Sequence, residues 1–298
     1  MTLVENDTPT TRRGRREAQR APRRRRSGRN LPAAIGVGLG LIAAVGAGLF
    51  LPFGNPAHPW GFVALITVGI TVAIIEFSTA VRPQGIHVSL LPLLVGGVGM
   101  TISAYTAGVE ALFVAFALTA GAAFIWRLLD GAGPMALRDA SVSIFAATYI
   151  PFLGGFVALM LALDNGPWRV AVFIALVVAN DTGGYIAGVL FGKHPMAPTV
   201  SPKKSWEGFI GSVVLTTAVA LPAVYYLLDG TILVAVIVAG LATVSATVGD
   251  LMESLVKRDL GVKDMGSILP GHGGVLDRVD SILVAAPVVF TLMWVTIP

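Results

Sequence analysis

Between Asp250 and Ser281 the chain reads D-L-M-E-S-L-V-K-R-D-L-G-V-K-D-M-G-S-I-L-P-G-H-G-G-V-L-D-R-V-D-S, its densest run of acids, cations and turn residues. Continued as a helix past Asp250, the first part places Asp250, Ser254 and Lys257 on one face, at i, i+4 and i+7. Pro270-Gly271-His272-Gly273-Gly274 then turns the chain back, and Asp277, Asp280 and Ser281 open the next helix at i, i+3 and i+4. Two antiparallel segments joined in this way bring Asp250 and Asp277 to similar depth. Two carboxylates so placed repel unless a cation or a proton separates them. Magnesium meets that need, because it prefers oxygen ligands and usually takes one or two carboxylates plus substrate phosphates. A solvated loop, with the acids paired to Lys257, Arg258, Lys263 and Arg278, accounts for any one of these residues. It does not account for the whole run.

A second constellation, Asn180-Asp181, interrupts an otherwise apolar stretch. A carboxylate inside a membrane span costs about 2.5–3.5 kcal/mol on insertion scales, which makes it a functional candidate by default. Gly184, Gly188 and Gly192 follow at a spacing of four, a pattern for close helix packing. The third constellation is Ser201-Pro202-Lys203-Lys204-Ser205-Trp206-Glu207-Gly208, just before an apolar run. Paired lysines at the start of a helix can hold phosphate oxygens together with the free backbone N–H groups there. They also serve as a plain topology signal, and Trp206 reads as an interfacial anchor. His272 is placed either to touch substrate or to stabilise its turn. Glu76 reads as solvated, His87 and His194 as loop residues, and Arg127 and Arg138 as topology anchors.

The elements that position these residues are membrane helices. Of the 298 residues 55% are hydrophobic and 13% charged, with a mean hydropathy of +0.78. A soluble domain carries about 25% charged residues, so this chain needs lipid as its solvent. There is no cysteine, which excludes disulfides, thiolate zinc sites and thiol catalysis, and leaves oxygen or histidine to hold any metal. About nine apolar segments reach spanning length, near 32–51, 61–80, 88–106, 109–126, 141–163, 168–192, 208–228, 231–249 and 279–297. The shortest break is Tyr105 to Glu110. The expected fold is an all-α, polytopic helical bundle over 31–298, with the functional blocks in 180–281.

Residues 1–30 form an Arg-rich tail, with ten arginines and a single acid, Glu17, between Arg12 and Arg29. Its lack of aromatic residues and of periodicity predicts a disordered, topology-setting segment rather than a nucleic-acid arm. With the tail in the cytoplasm, twenty of the 21 Lys and Arg fall on the cytoplasmic side, and only Arg169 on the other. That places the N-terminus inside. Both long loops, Lys193 to Glu207 and Asp250 to Arg278, then face the cytoplasm.

With these residues in view, Ser254 to Asp280 resembles the signature of the phosphatidate cytidylyltransferases, or CDP-diacylglycerol synthases. N-D-T-G-G-Y-I-A-G-V-L-F-G-K (Asn180 to Lys193) and S-P-K-K-S-W-E-G (Ser201 to Gly208) are similar to that family's two upstream blocks. The resemblance implies transfer of CMP from CTP to phosphatidic acid, giving CDP-diacylglycerol and pyrophosphate, with one magnesium ion or two. It implies that Asp250 and Asp277 hold the metal, and that Asp181, Lys203, Lys204, Lys257, Arg258 and Lys263 act in catalysis. It makes Asn180, Ser201, Ser254, His272 and Arg278 candidates for substrate contact. The expected setting is the plasma membrane of a bacterium, with the active site facing the cytoplasm. Membrane lipid is the partner, nucleic acid is not, and a homodimer is compatible with the reading.

The chemistry suits the residues. A lipid phosphate and a triphosphate repel each other, so metal, lysine and arginine are needed to bring them together. Phosphatidic acid is already ionised at neutral pH and needs no strong general base. A CTP-dependent polyprenol kinase would need one for its lipid hydroxyl. A CDP-alcohol phosphotransferase would carry D-G-x-x-A-R, which is missing. A secondary transporter would break its helices at matching positions in two halves, whereas the polar blocks here all lie in the C-terminal half.

Overall fold

The computed structural model describes residues 31–51, 59–131, 133–269 and 273–297. The described chain is almost wholly helical: α1 (Leu31–Phe50), α2 (Trp60–Val81), α3 (Leu90–Leu129), α4 (Ala136–Ala147), α5 (Leu153–Leu161), α6 (Gly166–Phe191), α7 (Trp206–Leu227), α8 (Ile232–Leu260) and α9 (Leu276–Thr296). Lipid offers no hydrogen bonds, so an apolar segment crossing it must satisfy its own backbone, and a helix does this within one segment. Seven helical stretches among the described residues are long and apolar enough to cross a membrane, with Gly36–Phe50 a shorter apolar helix. Large apolar side chains cover their outer faces, among them Leu118 at 69% exposed and Val295 at 72%. In an apolar solvent such a surface needs no cover. The chain is an integral membrane protein of all-α, polytopic fold.

Two breaks in helical regularity shape the bundle. Gly108 has φ 83° and ψ −164°, a conformation that a side chain would oppose, and there α3 folds back on itself. In a straight helix Ser89 and Ala123 would lie about 50 Å apart, yet Ser89 Oγ donates to the Ala123 carbonyl at 2.9 Å. The break expected at Tyr105 to Glu110 therefore falls at Gly108. Between α4 and α5, Thr148–Phe152 forms a π-helical turn around Pro151, which lacks a backbone N–H. The turn joins both helices into one apolar stretch, Ala136–Leu161.

One short antiparallel hairpin departs from the helical plan, β1 (Pro195–Ala197) with β2 (Ser201–Ser205). It carries the paired lysines, which the sequence reading set at a helix start. The helix begins at Trp206, two residues after Lys204: Ser205 Oγ accepts from Gly208 N at 3.1 Å and caps α7.

Two apolar clusters fill the interior. The larger includes Leu112, Phe156, Phe173, Val224 and Phe290, and the smaller Ile74, Phe77, Leu93, Ile150 and Leu276.

Candidate active site

The C-terminal half of α6, the hairpin, the start of α7, the end of α8 and the start of α9 meet at one end of the bundle. They surround an open cavity of about 350 Å³. Glycines set the closeness of the walls. A Cβ on Gly183 would lie 2.5 Å from the Gly211 carbonyl oxygen, and one on Gly184 2.7 Å from Ser212 Oγ. At this contact Ser212 Oγ donates to the Asn180 carbonyl at 2.6 Å. The same device joins α8 to α9, where a Cβ on Gly249 would meet the Asp280 carbonyl oxygen at 2.8 Å and Ser281 Cα at 3.1 Å. That contact puts Asp250 beside the first turns of α9. Asp250 and Asp277 line the same cavity.

Each of these two acids faces a lysine. Lys204 Nζ lies 2.5 Å from Asp250 Oδ2 and also donates to the Thr247 carbonyl at 3.2 Å. Lys257 Nζ lies 2.8 Å from Asp277 Oδ1. Asp277 is further held by its own loop: Met265 N donates to both carboxylate oxygens at 3.0 Å, and Gly274 N to Oδ2 at 2.8 Å. Asp181 takes a hydrogen bond from Asn180 Nδ2 at 3.0 Å and opens onto the cavity, while Asn180 Oδ1 is buried with no hydrogen-bond partner among the described residues.

The cavity also receives Ser201, Lys203 and Arg278. Lys203 forms no ion pair among the described residues, and its strand neighbour Lys204 is the one turned to Asp250. Ser254, Arg258 and Lys263 instead line an adjoining cavity of about 360 Å³, with Ser201 and Lys257 common to both. No carboxylate lines that second cavity among the described residues. It exists where it does because Gly261, at φ 68°, ends α8 just past Lys257 and Arg258, through a Val262 N–H bond to the Lys257 carbonyl at 3.0 Å. His272, expected near substrate, lies outside the described residues.

Several residues escaped the sequence reading. Glu253, fully buried, pairs with Lys257 and lies against Asp280. It stands one turn beyond Asp250 and one turn before Lys257, so helical spacing was the signal that would have found it. The Tyr149 hydroxyl is buried without a hydrogen-bond partner among the described residues, on the π-helical turn below these acids. Glu76, expected to be solvated, is 4% exposed and accepts from Leu276 N at 2.9 Å. Arg127 and Arg138, read as topology anchors, converge on the buried Asp139 at 3.1 and 3.4 Å, with His87 at 3.7 Å. His194 is exposed and lies 2.5 Å from Glu207 Oε1. Arg169 is buried and donates to the Asp164, Met293 and Ile297 carbonyls at 2.7, 2.7 and 3.3 Å, which ties the start of α6 to the end of α9.

The donor set fits a magnesium ion of the kind that shares its coordination with substrate phosphates. Among the described residues no three acids or histidines converge as a complete protein cage, and such an ion does not need one. Ammonium groups already stand where positive charge is wanted, on Asp250 and on Asp277. Among the described residues, the main cavity is lined by four cations and four carboxylates. It therefore offers a polyanion no net positive charge of its own.

A sequence model of the cytidylyltransferase family matches residues 33–296. The phosphatidate cytidylyltransferase of Mycobacterium leprae (strain TN) is 41% identical over 250 residues, covering 78% of this chain and 79% of its own length. That of Mycobacterium bovis is 39% identical over 250 residues, covering 79% of this chain and 82% of its own length. That of Haemophilus influenzae is 42% identical over 152 residues, 47% of this chain and 52% of its own length. The chain belongs to the cytidylyltransferase family.

Proposed function

We propose that the protein transfers CMP from CTP to phosphatidic acid, releasing pyrophosphate and forming CDP-diacylglycerol for phospholipid synthesis. A phosphatidic acid oxygen forms a bond to the α-phosphorus of CTP, and the bond from that phosphorus to the oxygen bridging to the β-phosphate breaks. The leaving group is pyrophosphate, and no proton must be removed from the attacking oxygen.

The observation that carries this reading is the pairing of Lys204 with Asp250 and of Lys257 with Asp277 in one cavity. Asp250 and Asp277 would hold magnesium, which when bound neutralises the triphosphate and polarises the α-phosphate. Lys204 and Lys257, on the same cavity, would bind phosphate oxygens, where a preorganised cation stabilises charge that develops in the transition state. Lys203 and Arg278, both exposed, line the same cavity and form no ion pair among the described residues, so they would meet the same anions. Arg258 and Lys263, in the adjoining cavity without carboxylates, suit an anionic end of the substrates. Asn180 and Asp181 orient the bound groups from α6.

The bundle lies in the plasma membrane of a bacterium. With α1 as one crossing and α3 as two, the chain passes nine times and starts in the cytoplasm, as the distribution of Lys and Arg supports. The site then faces the cytoplasm, where CTP is made.

The test incubates purified protein with phosphatidic acid, magnesium and each labelled nucleoside triphosphate in turn. CDP-diacylglycerol and pyrophosphate from CTP are expected. A labelled γ-phosphate on a lipid alcohol would identify a kinase instead, and no turnover of any nucleotide would end the nucleotidyl-transfer reading.

A further inference from the structure

We infer that Glu76, on α2 and far from the polar blocks in sequence, is a positioning residue that sets the loop holding Asp277. Its place is unusual on physical grounds. A carboxylate buried to 4% exposure is costly unless it is well used. Glu76 Oε2 accepts from Leu276 N at 2.9 Å, and Leu276 opens α9, where the helix dipole favours a negative charge. Its other oxygen has no hydrogen-bond partner among the described residues, so one hydrogen bond does not explain the whole group.

The remainder is explained by what lies against it. A Cβ on Gly266 would run into the Glu76 carboxylate, and one on Gly274 would lie 2.6 Å from its Oε2. These two glycines stand at the two ends of the loop that grips Asp277. Gly266 follows Met265, whose N–H bonds both Asp277 oxygens, and Gly274 donates its own N–H to Asp277 Oδ2. Neither glycine is at a positive φ, so contact with Glu76, not backbone conformation, accounts for the missing side chains. Between them Leu269 N donates to the Gly273 carbonyl at 2.9 Å. Asp277 thus holds the loop from within, and Glu76 holds the same loop from α2. The first half of the chain contributes to the site in this way without touching substrate.

That Asp277 serves catalysis rests on the proposed function, whereas the clamp itself does not, and the experiment separates the two. Hydrogen exchange across residues 264–276 is followed in the purified protein, with neither substrate nor metal present, for Glu76→Ala, Glu76→Gln and Gly274→Ala. Exchange of the Met265 and Gly274 amides is expected to rise roughly tenfold in Glu76→Ala, as for a loop that has lost its tether. Glu76→Gln, which keeps an acceptor for Leu276 N–H, should restore most of the protection. Gly274→Ala should open the loop when Glu76 is present and add little in the Glu76→Ala background, because the clash has gone. In the transferase assay, Glu76→Ala should lower turnover and raise the half-saturating magnesium concentration severalfold, with KM for phosphatidic acid unchanged. Unchanged exchange in Glu76→Ala, or additive effects of Glu76→Ala and Gly274→Ala, would overturn the clamp. If Glu76→Ala does not fold, Glu76→Gln and Gly274→Ala decide alone: wild-type exchange in Gly274→Ala overturns the clamp. The expected exchange without any effect on magnesium dependence would refute the positioning role.

Discussion

Replacement of Lys204 by alanine tests the proposed step in which a lysine leaves an acid for a phosphate. In the structure Lys204 Nζ is bound to Asp250 at 2.5 Å and to the Thr247 carbonyl at 3.2 Å, with its side chain 23% exposed. Lys203, its neighbour on β2, faces the same cavity without an ion pair among the described residues. A hydrogen bond to a charged group contributes about 1.5–3 kcal/mol, and about 1.4 kcal/mol corresponds to tenfold. Lys204→Ala should therefore lower kcat/KM for CTP roughly ten- to a hundredfold, and Lys203→Ala by less, since fewer of its bonds are already organised. The assay is transfer of labelled CMP to phosphatidic acid in detergent, with membrane insertion checked by reporter fusions, because both lysines also belong to the topology signal. Lys204→Met and Asp250→Asn should together cost less than the sum of the two, with a coupling of about 0.5–3 kcal/mol, as for groups that share one interaction. Full activity in both single lysine variants and in the double variant would return the pair to a purely topological role. Strict additivity with Asp250→Asn would refute the exchange of partners.

Other perturbations separate machinery from scaffold. Asp277→Asn, like Asp250→Asn, should remove most activity while the protein still folds in membranes, and near-normal turnover at saturating magnesium would refute the assignment. Gly249→Ala puts a methyl 2.8 Å from the Asp280 carbonyl oxygen and forces α8 from α9; turnover should fall roughly tenfold or more, since about 1 Å of misplacement can cost a hundredfold. Arg169→Ala strips the guanidinium from three carbonyls at the opposite end of the bundle; it should lower stability by roughly 1–3 kcal/mol in thermal unfolding and leave KM for CTP unchanged. Deletion of residues 1–30 should leave specific activity within a few-fold in detergent, provided the truncated protein inserts in the same orientation.

What the sequence disclosed and what it hid follow from the range of the forces involved. Spans are legible because their cause is local: an apolar run of sufficient length must be helical in lipid. The break at Gly108 could be bracketed for the same reason, although a single glycine with positive φ turned the chain there. The acids and lysines of 180–281 stood out because each is costly among apolar residues. Which acid meets which lysine was not legible, because Lys204 and Asp250 are 46 residues apart and meet through helix packing. The hairpin was missed because its strands, of three and five residues, are too short to show alternation. Glu76 looked solvated because it lies near a span end, and the residues that bury it, Gly266, Gly274 and Leu276, come some 200 positions later.

The charge balance of the cavity gives the arrangement a logic of its own. Among the described residues four cations and four carboxylates line it, and Glu253 lies behind them, fully buried. A site built only to hold a triphosphate would omit the acids, because each one repels the ligand. Asp250 and Asp277 pair with lysines at 2.5 and 2.8 Å, which balances charge along the cavity and keeps those lysines in place. If, as proposed, those acids hold a divalent cation, Lys204 and Lys257 would be left in the same cavity to meet the phosphates. On this argument, metal and CTP must bind with strong positive coupling, and each should raise the affinity for the other by the same factor. Calorimetric titration of CTP with and without magnesium measures that factor. Equal affinity for CTP in both conditions would show that the lysines do not wait on the metal, and would leave the acids without the role assigned to them here.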